Sequence, residues 1–534
     1  MKTLMKIGVE KIVLLLLSVT FFIGTWHAFP LLDIVSDEMY FVGGVLRAME
    51  NYQLIPIEGD VPYGTITYII NYISTIIVLI VLFPIFSFKI SAIKFYLIQS
   101  PSIMYLFTRI NSAIIAILYL QLIWNFLKRE QKDIKVRLFL LTLVFTNVLT
   151  TTVLHTGKQH VLSIFLVLVS FYFLYRAVAD ESSVGEEFKN KNAMYSILFS
   201  FLALSNLPLN GYSLINIPIL IFYFWKDKIF IYKKIPKYVI IGVIVSGLII
   251  SLNSGSIQKQ IISVFTEYNP ILVEDASIPN MDFWTSLVTY TQKVIYLFPL
   301  LLISILLSIK NGIKNKKLFT LGLIYFFVYF SILVTVAVWP VEFASFWRYL
   351  VPLNFFLFFI LSSFNLSFNR IFYPIIAIAL VYFVFTLYYL SVPTTYNQAS
   401  RWVKENISQN EVAIINNVHD FRLTKNKKAS LLSQELFCGT KCKAIIEHDL
   451  NSEFKAVVLD DQSLTSATTG MKNFKGVYFL EEKELTDPKF FLEAKFTNDA
   501  KDYHSVDYNV GNYFDLDYLK LKNFGKNVYI YRHI

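Results

Sequence analysis

Charge is scarce in this chain. Only 16% of the 534 residues are Asp, Glu, Lys or Arg, against 55% hydrophobic and 17% aromatic, and the mean hydropathy is +0.54. A soluble globular protein cannot hide that much apolar surface. Many runs approach the about 20 apolar residues that cross a bilayer, so the chain reads as a polytopic α-helical membrane protein. Cysteine is almost missing as well. The two present, Cys438 and Cys442, exclude a disulfide framework. A single C-x3-C without a second ligand pair is poor ground for zinc, and its spacing leaves a small local disulfide open. No small-x-small cleavage site follows the first apolar run, so Ile12 to Phe29 reads as an uncleaved span. The formal net charge of +10 is no nucleic-acid footprint, because the basic residues collect in short loops, as the positive-inside rule requires.

Those loops set the topology. Lys2, Lys6 and Lys11 place the N-terminus in the cytoplasm, and the first span leads outward to an acidic loop, residues 30–62. The basic loops Lys128 to Arg137, Lys226 to Lys237 and Lys310 to Lys317 then belong to the cytoplasmic side. Residues 63–104 start and end outside, either as a pair of spans or, preferably, as juxtamembrane helices. About eleven spans follow from this alternation over residues 1–392. Beyond Pro393 the composition turns polar. A helix over 398–407 and strand-like runs at 411–415, 443–446, 454–459, 476–480 and 527–531 predict a soluble α/β domain, residues 393–534, outside the membrane. That region carries no glycine-rich phosphate loop and no internal repeat. Asn406-Ile-Ser408 forms a glycosylation triplet there.

Ionisable residues near a bilayer are costly, so those at the outer span ends are candidates for function. Asp33, Asp37 and Glu38 lie in the first outer loop, the latter two at the start of a helical pattern whose dipole favours carboxylates. Arg109, His155, Lys158, His160, Glu342 and Arg348 share that face. Such a cluster suits a charged head group and a reacting hydroxyl: cations hold phosphate and one carboxylate serves as general base. Each residue also has a structural reading. Lys158 can snorkel, Arg109 can pair with an acid inside the bundle, His155 and His160 can be loop residues, and Glu342 a solvated acid.

The ordered set of features resembles the GT-C superfamily of polytopic glycosyltransferases, in particular the branch of the protein O-mannosyltransferases and the aminoarabinose transferases of lipid A. The resemblance covers most of residues 8–392. It is carried by Asp37-Glu38 followed by Tyr40, Pro62-Tyr63-Gly64, Thr108-Arg109, Thr156-Gly-Lys158-Gln-His160 and Arg348-Tyr349-Leu-Val-Pro352. The chain departs from it at Pro62-Tyr63, where a Pro-Pro is usual, and at Gln159-His160, where many members have an acid. The resemblance implies an inverting glycosyltransferase that moves a sugar from a polyprenyl phosphate to an acceptor hydroxyl on a protein, lipid or glycan at the extracytoplasmic face. It implies Asp37 as base, with Glu38 orienting it or the acceptor. Arg348, Lys158 and Arg109 would hold the donor phosphate, and Tyr40, Tyr63, His160 and Tyr349 would position the substrates. A divalent cation at the two acids is possible on this reading but not favoured, because nearby basic residues can replace it. A flippase for lipid-linked glycans and a non-catalytic scaffold are the competing classes.

Overall fold

A computed structural model describes residues 8–29, 38–50, 52–53, 64–99, 102–179, 186–226, 230–251, 282–336, 347–407, 412–415, 455–458, 477–481, 484–497, 511, 513–525 and 527–533. The helices are α1 (Val9–Thr20), α2 (Glu38–Glu50), α3 (Thr65–Ile85), α4 (Ile90–Gln99), α5 (Ser102–Glu130), α6 (Ile134–Phe145), α7 (Val148–Leu154), α8 (Gln159–Ala179) and α9 (Glu186–Asn206). A 3-10 stretch, Pro208–Ile215, leads to α10 (Asn216–Lys226), α11 (Ile235–Ser251), α12 (Phe283–Leu297), α13 (Pro299–Ile309), α14 (Lys316–Val336), α15 (Val351–Ser362), α16 (Phe372–Ser391) and α17 (Thr395–Asn406).

Among the described residues six helices are long and apolar enough to cross a membrane, or up to eight if each of two bent pairs is one span. The expected count of about eleven is therefore not reached there. Several apolar runs are cut short: α1 and α15 have 12 residues each and α10 has 11. At about 1.5 Å per residue none of these reaches across about 30 Å of hydrocarbon alone. The run expected over 138–154 is broken by 67° between α6 and α7. Asn147 causes the break by capping α7, where its side chain accepts from Thr150 N at 3.2 Å. The span expected from Lys293 starts earlier, at Phe283, behind the N-cap Asp282, and bends by 84° before Pro299. The two breaks meet. Asn147 Nδ2 donates to Leu297 O at 2.7 Å, which satisfies a carbonyl that the end of α12 leaves open.

Region 63–104 holds α3 and the short α4. By length and composition α3 qualifies as a span, yet it packs beside the first part of α5. Ser74 Oγ donates to Asn111 Oδ1 at 2.9 Å, and Val78 and Leu82 cluster with Met104 and Tyr105.

The bundle has two distinct ends. At one, Glu130 accepts from Tyr175 OH at 2.6 Å and from Asn315 Nδ2 at 3.0 Å. Gln131 Nε2 donates to Ser362 O at 2.7 Å, Lys317 Nζ donates to Val178 O at 3.0 Å, and Lys314 Nζ donates to Glu130 O. Two of the basic loops that the sequence alternation assigns to one side, 128–137 and 310–317, thus touch one another. At the other end stand Glu38, Arg109, Lys158 and Arg348. Between the ends, Asn216 Nδ2 donates to Ser170, Ser196 and Ser200 Oγ at 2.6, 2.8 and 3.1 Å, and Tyr325 OH donates to its Oδ1. That network joins α8, α9, α10 and α14 where no water offers an alternative partner.

The C-terminal part forms a five-stranded sheet in the order β2-β1-β3-β5-β4, with β1 Val412–Ile415, β2 Lys455–Val458, β3 Val477–Glu481, β4 Phe490–Phe496 and β5 Val528–His533. β1 runs parallel to β2 and β3, and β5 antiparallel to β3 and β4. Four strands fall where the sequence pattern places them; the run at 443–446 and both cysteines lie outside the described residues. The sheet region is tied to the bundle through Tyr518. Its carbonyl accepts from Tyr389 OH at 2.7 Å and its hydroxyl pairs with Thr386 Oγ1 at 2.9 Å.

Asn216→Ala removes the shared donor and leaves the Tyr325 hydroxyl buried without its acceptor. The expected cost is about 1–2 kcal/mol, read as a lowered unfolding midpoint in detergent micelles. An unchanged midpoint would show that the network holds nothing together.

Candidate functional site

The site is built on Arg109, about two turns into α5 and 3% exposed, and Glu38, the first residue of α2 and 1% exposed. Arg109 Nε donates to Glu38 Oε1 at 2.8 Å and Nη2 donates to Oε2 at 2.6 Å. This is the parallel, two-bond geometry that a guanidinium and a carboxylate favour. Nη1 donates to the carbonyls of Thr25 at 3.1 Å and His27 at 2.6 Å, and the guanidinium sits 5.0 Å from the Phe29 ring centroid. Phe29 and Glu38 flank residues 30–37. Both ends of that segment are therefore held on one guanidinium.

Glu38 makes a third bond. Gly157 N donates to its Oε1 at 2.5 Å. A side chain at 157 has no room, since a Cβ there would stand 2.4 Å from Thr108 Oγ1 and 2.9 Å from Glu38 Oε1. The glycine lets the main chain approach the carboxylate, and the next residue is Lys158. His155, at the start of this turn, faces Thr151 O at 2.6 Å and Thr20 O at 3.1 Å with its two ring nitrogens, and so ties the turn to α1 and α7.

Lys158 and Arg348 are each 2% exposed; Arg348 stands next to Tyr349 and Lys158 two residues before the His160 ring. That ring meets Tyr349 edge-on, with centroids 5.2 Å apart. The Tyr349 carbonyl accepts from Tyr329 OH at 2.7 Å, which fixes the turn that carries Arg348 ahead of α15. Four residues expected from the sequence, Lys158, His160, Arg348 and Tyr349, thus come together, and Glu38 with Arg109 braces the turn beside them.

For Arg109 the sequence offers a donor-phosphate role or a structural pairing with an acid inside the bundle. Its contacts go to Glu38, two carbonyls and Phe29, so the pairing alternative is the one observed. Glu38 accepts from three N–H groups with its two oxygens. Tyr40 lies in the first turn of α2. Asp33, Asp37, Tyr63 and Glu342 lie outside the described residues. Among the described residues no group of three or more His, Cys, Asp or Glu side chains is gathered as for a metal ion.

Sequence reasoning passed over Lys293, which it used as a span boundary. Its ammonium lies 5.4 Å from the Tyr290 ring and 5.7 Å from the Trp347 ring, and Trp347 directly precedes Arg348. A lone lysine inside an apolar helix was the available signal. Gly157 was also visible, but nothing in the sequence ties it to a carboxylate 119 residues away.

No family model and no curated protein matches the chain. It is similar to the crystal structure of ArnT from Cupriavidus metallidurans bound to undecaprenyl phosphate, over 98% of this chain and 97% of that one, with a TM-score of 0.45 and 9% identity.

Gly157→Ala should lower thermal stability in detergent, and Thr108→Ala, which removes the nearest clashing atom, should recover part of the loss when the two are combined. Additive losses would contradict the steric account. Glu38→Gln strands a buried guanidinium and should cost about 3–5 kcal/mol, measured the same way.

Proposed function

We propose that the chain is an inverting glycosyltransferase of the membrane, which moves a sugar from a polyprenyl phosphate to an acceptor hydroxyl. The observation that carries this reading is the meeting of Lys158, His160, Arg348 and Tyr349 at the end of the bundle where Arg109 and Glu38 hold the segment containing Asp37. Basic side chains hold a phosphate by charge-assisted hydrogen bonds, and a phosphate on a lipid tail is an anion suited to a helix bundle in a bilayer.

In the proposed reaction the acceptor oxygen attacks the anomeric carbon and the bond from that carbon to the phosphate oxygen breaks. The hydroxyl proton passes to Asp37, one residue from the anchored Glu38. The electron pair of the broken bond stays on the phosphate, where Arg348 and Lys158 stabilise the added charge. Phosphate leaves readily, so this route calls for no second carboxyl as general acid. His160 and Tyr349 shape the space between the cations. Arg109 and Glu38 act through position: they fix the Lys158 turn and both ends of the Asp37 segment.

The reaction is expected at the extracytoplasmic face, to which the sequence alternation assigns this end. A flippase would need the cations without a base, and a scaffold would need neither.

The test is transfer from a panel of polyprenyl-phosphate sugars to peptide and lipid acceptors in nanodiscs. Asp37→Asn should lower turnover by about a hundredfold or more while donor binding persists, and Arg348→Ala should weaken donor binding as well. Near-normal transfer by Asp37→Asn rejects the base. Absence of transfer by the wild type from every donor rejects the enzyme.

A further inference from the structure

A cavity of about 500 Å³ opens between the turn after α1, the end of α16 and α17. Its size is that of small-molecule sites. Trp26 and Phe29 supply aromatic walls, and Ser400, Arg401 and Glu405 supply polar ones. We infer that this cavity binds a neutral sugar unit of the acceptor, through stacking on Trp26 and hydrogen bonds to Arg401, Glu405 and Ser400.

Trp26 is 47% exposed, and its Nε1 donates to Ser391 O at 3.2 Å. That bond uses the indole's one polar atom and fixes the ring plane, so what remains for a ligand is an apolar face. Along α17, Asn397, Arg401 and Glu405 recur every four residues and share one side of the helix. Asn397 holds that side in place by donating to Phe29 O at 2.9 Å. Arg401 and Glu405 form no ion pair with each other or with another described residue, although one turn separates them. Their charges cancel across the cavity, which gives no preference to a strongly anionic or cationic ligand. Together with Ser400 they offer both donors and acceptors. A sugar ring matches this set, since it has hydroxyls that donate and accept around its edge and C–H groups on its faces.

The cavity also adjoins the reaction site. Phe29 lines it and carries the Arg109 guanidinium 5.0 Å from its ring centroid. A sugar held there lies beside the anchored end of the segment that contains Asp37. That the sugar belongs to an acceptor rests on the proposed transferase reading; the binding of a sugar does not, and the experiment separates them.

Saturation-transfer NMR on the full chain in nanodiscs reads binding without turnover. The probes are neutral hexasaccharides of glucose, mannose and N-acetylglucosamine, with a Ser/Thr-rich peptide and glycerophosphoglycerol as the other classes. At least one hexasaccharide should receive saturation on its ring protons. The signal should fall at least threefold in Trp26→Ala and in Arg401→Gln, an exposed position that should leave folding intact, and persist in Arg348→Ala. No signal from any hexasaccharide, equal signals in wild type and both cavity variants, or a Trp26-dependent signal only from the peptide or the head group would overturn the inference. A failed transfer assay alongside a Trp26-dependent hexasaccharide signal would reject the transferase and leave the sugar site standing.

Discussion

The ion pair between Arg109 and Glu38 is the constraint on which the rest of the site depends. Two charges inside a helix bundle are tolerated only with near-complete hydrogen bonding, and this pair has it: two bonds to each other, two from Arg109 to main-chain carbonyls and one from Gly157 to Glu38. Those bonds reach four parts of the chain. The pair therefore joins the turn after α1, the start of α2, α5 and the turn ahead of α8. It sets Lys158 through its neighbour Gly157. It also holds Phe29 and Glu38, the residues on either side of segment 30–37, whose sequence carries Asp33 and Asp37.

The remainder of the bundle supports that end in a graded way. Apolar packing fills most of the interior, but hydrogen bonds between small polar side chains decide which helices stay in register. Asn216 binds three serines, Asn206 Nδ2 donates to Ser163 Oγ at 2.7 Å, and Asn147 couples the two broken helices. In lipid such bonds have few competitors, and a helix that slipped would bury unmatched donors. The Glu130 end is clasped through main-chain carbonyls and one carboxylate. The site end is clasped through a guanidinium, with Arg109 bound to Glu38 and to two main-chain carbonyls.

Much of this was legible in the chain. The alternation of basic loops correctly grouped residues 128–137 with 310–317, because positive charge is kept on one side of a membrane whatever the packing. It also put Lys158, His160 and Arg348 on one face, and the resemblance added Tyr349. What the sequence withheld was pairing. Arg109 was open to a phosphate or a carboxylate, and only the position of Glu38 decides. Helix breaks were missed where a polar residue in an apolar run acts as a cap, as Asn147 does, since hydropathy averages over it. The edge strand Phe490–Phe496 was missed as well. It is largely exposed, interrupted by a bulge between Leu492 and Ala494, and so lacks the buried pattern of its neighbours. Lys293 reads as the end of a span from the sequence, because a lysine at that spacing from an apolar run has the same appearance in both roles.

The measurement closest to the central claim is the affinity of the folded protein for a polyprenyl phosphate that carries no sugar, read by native mass spectrometry on wild type, Arg348→Ala and Glu38→Gln. Glu38 is expected to touch no phosphate. If the ion pair organises the cation cluster, Glu38→Gln ions that retain the folded charge-state distribution should lose lipid-phosphate binding nearly as far as Arg348→Ala does. Wild-type affinity in Glu38→Gln, beside a clear loss in Arg348→Ala, would contradict the account and leave the cations to arrange themselves without the pair.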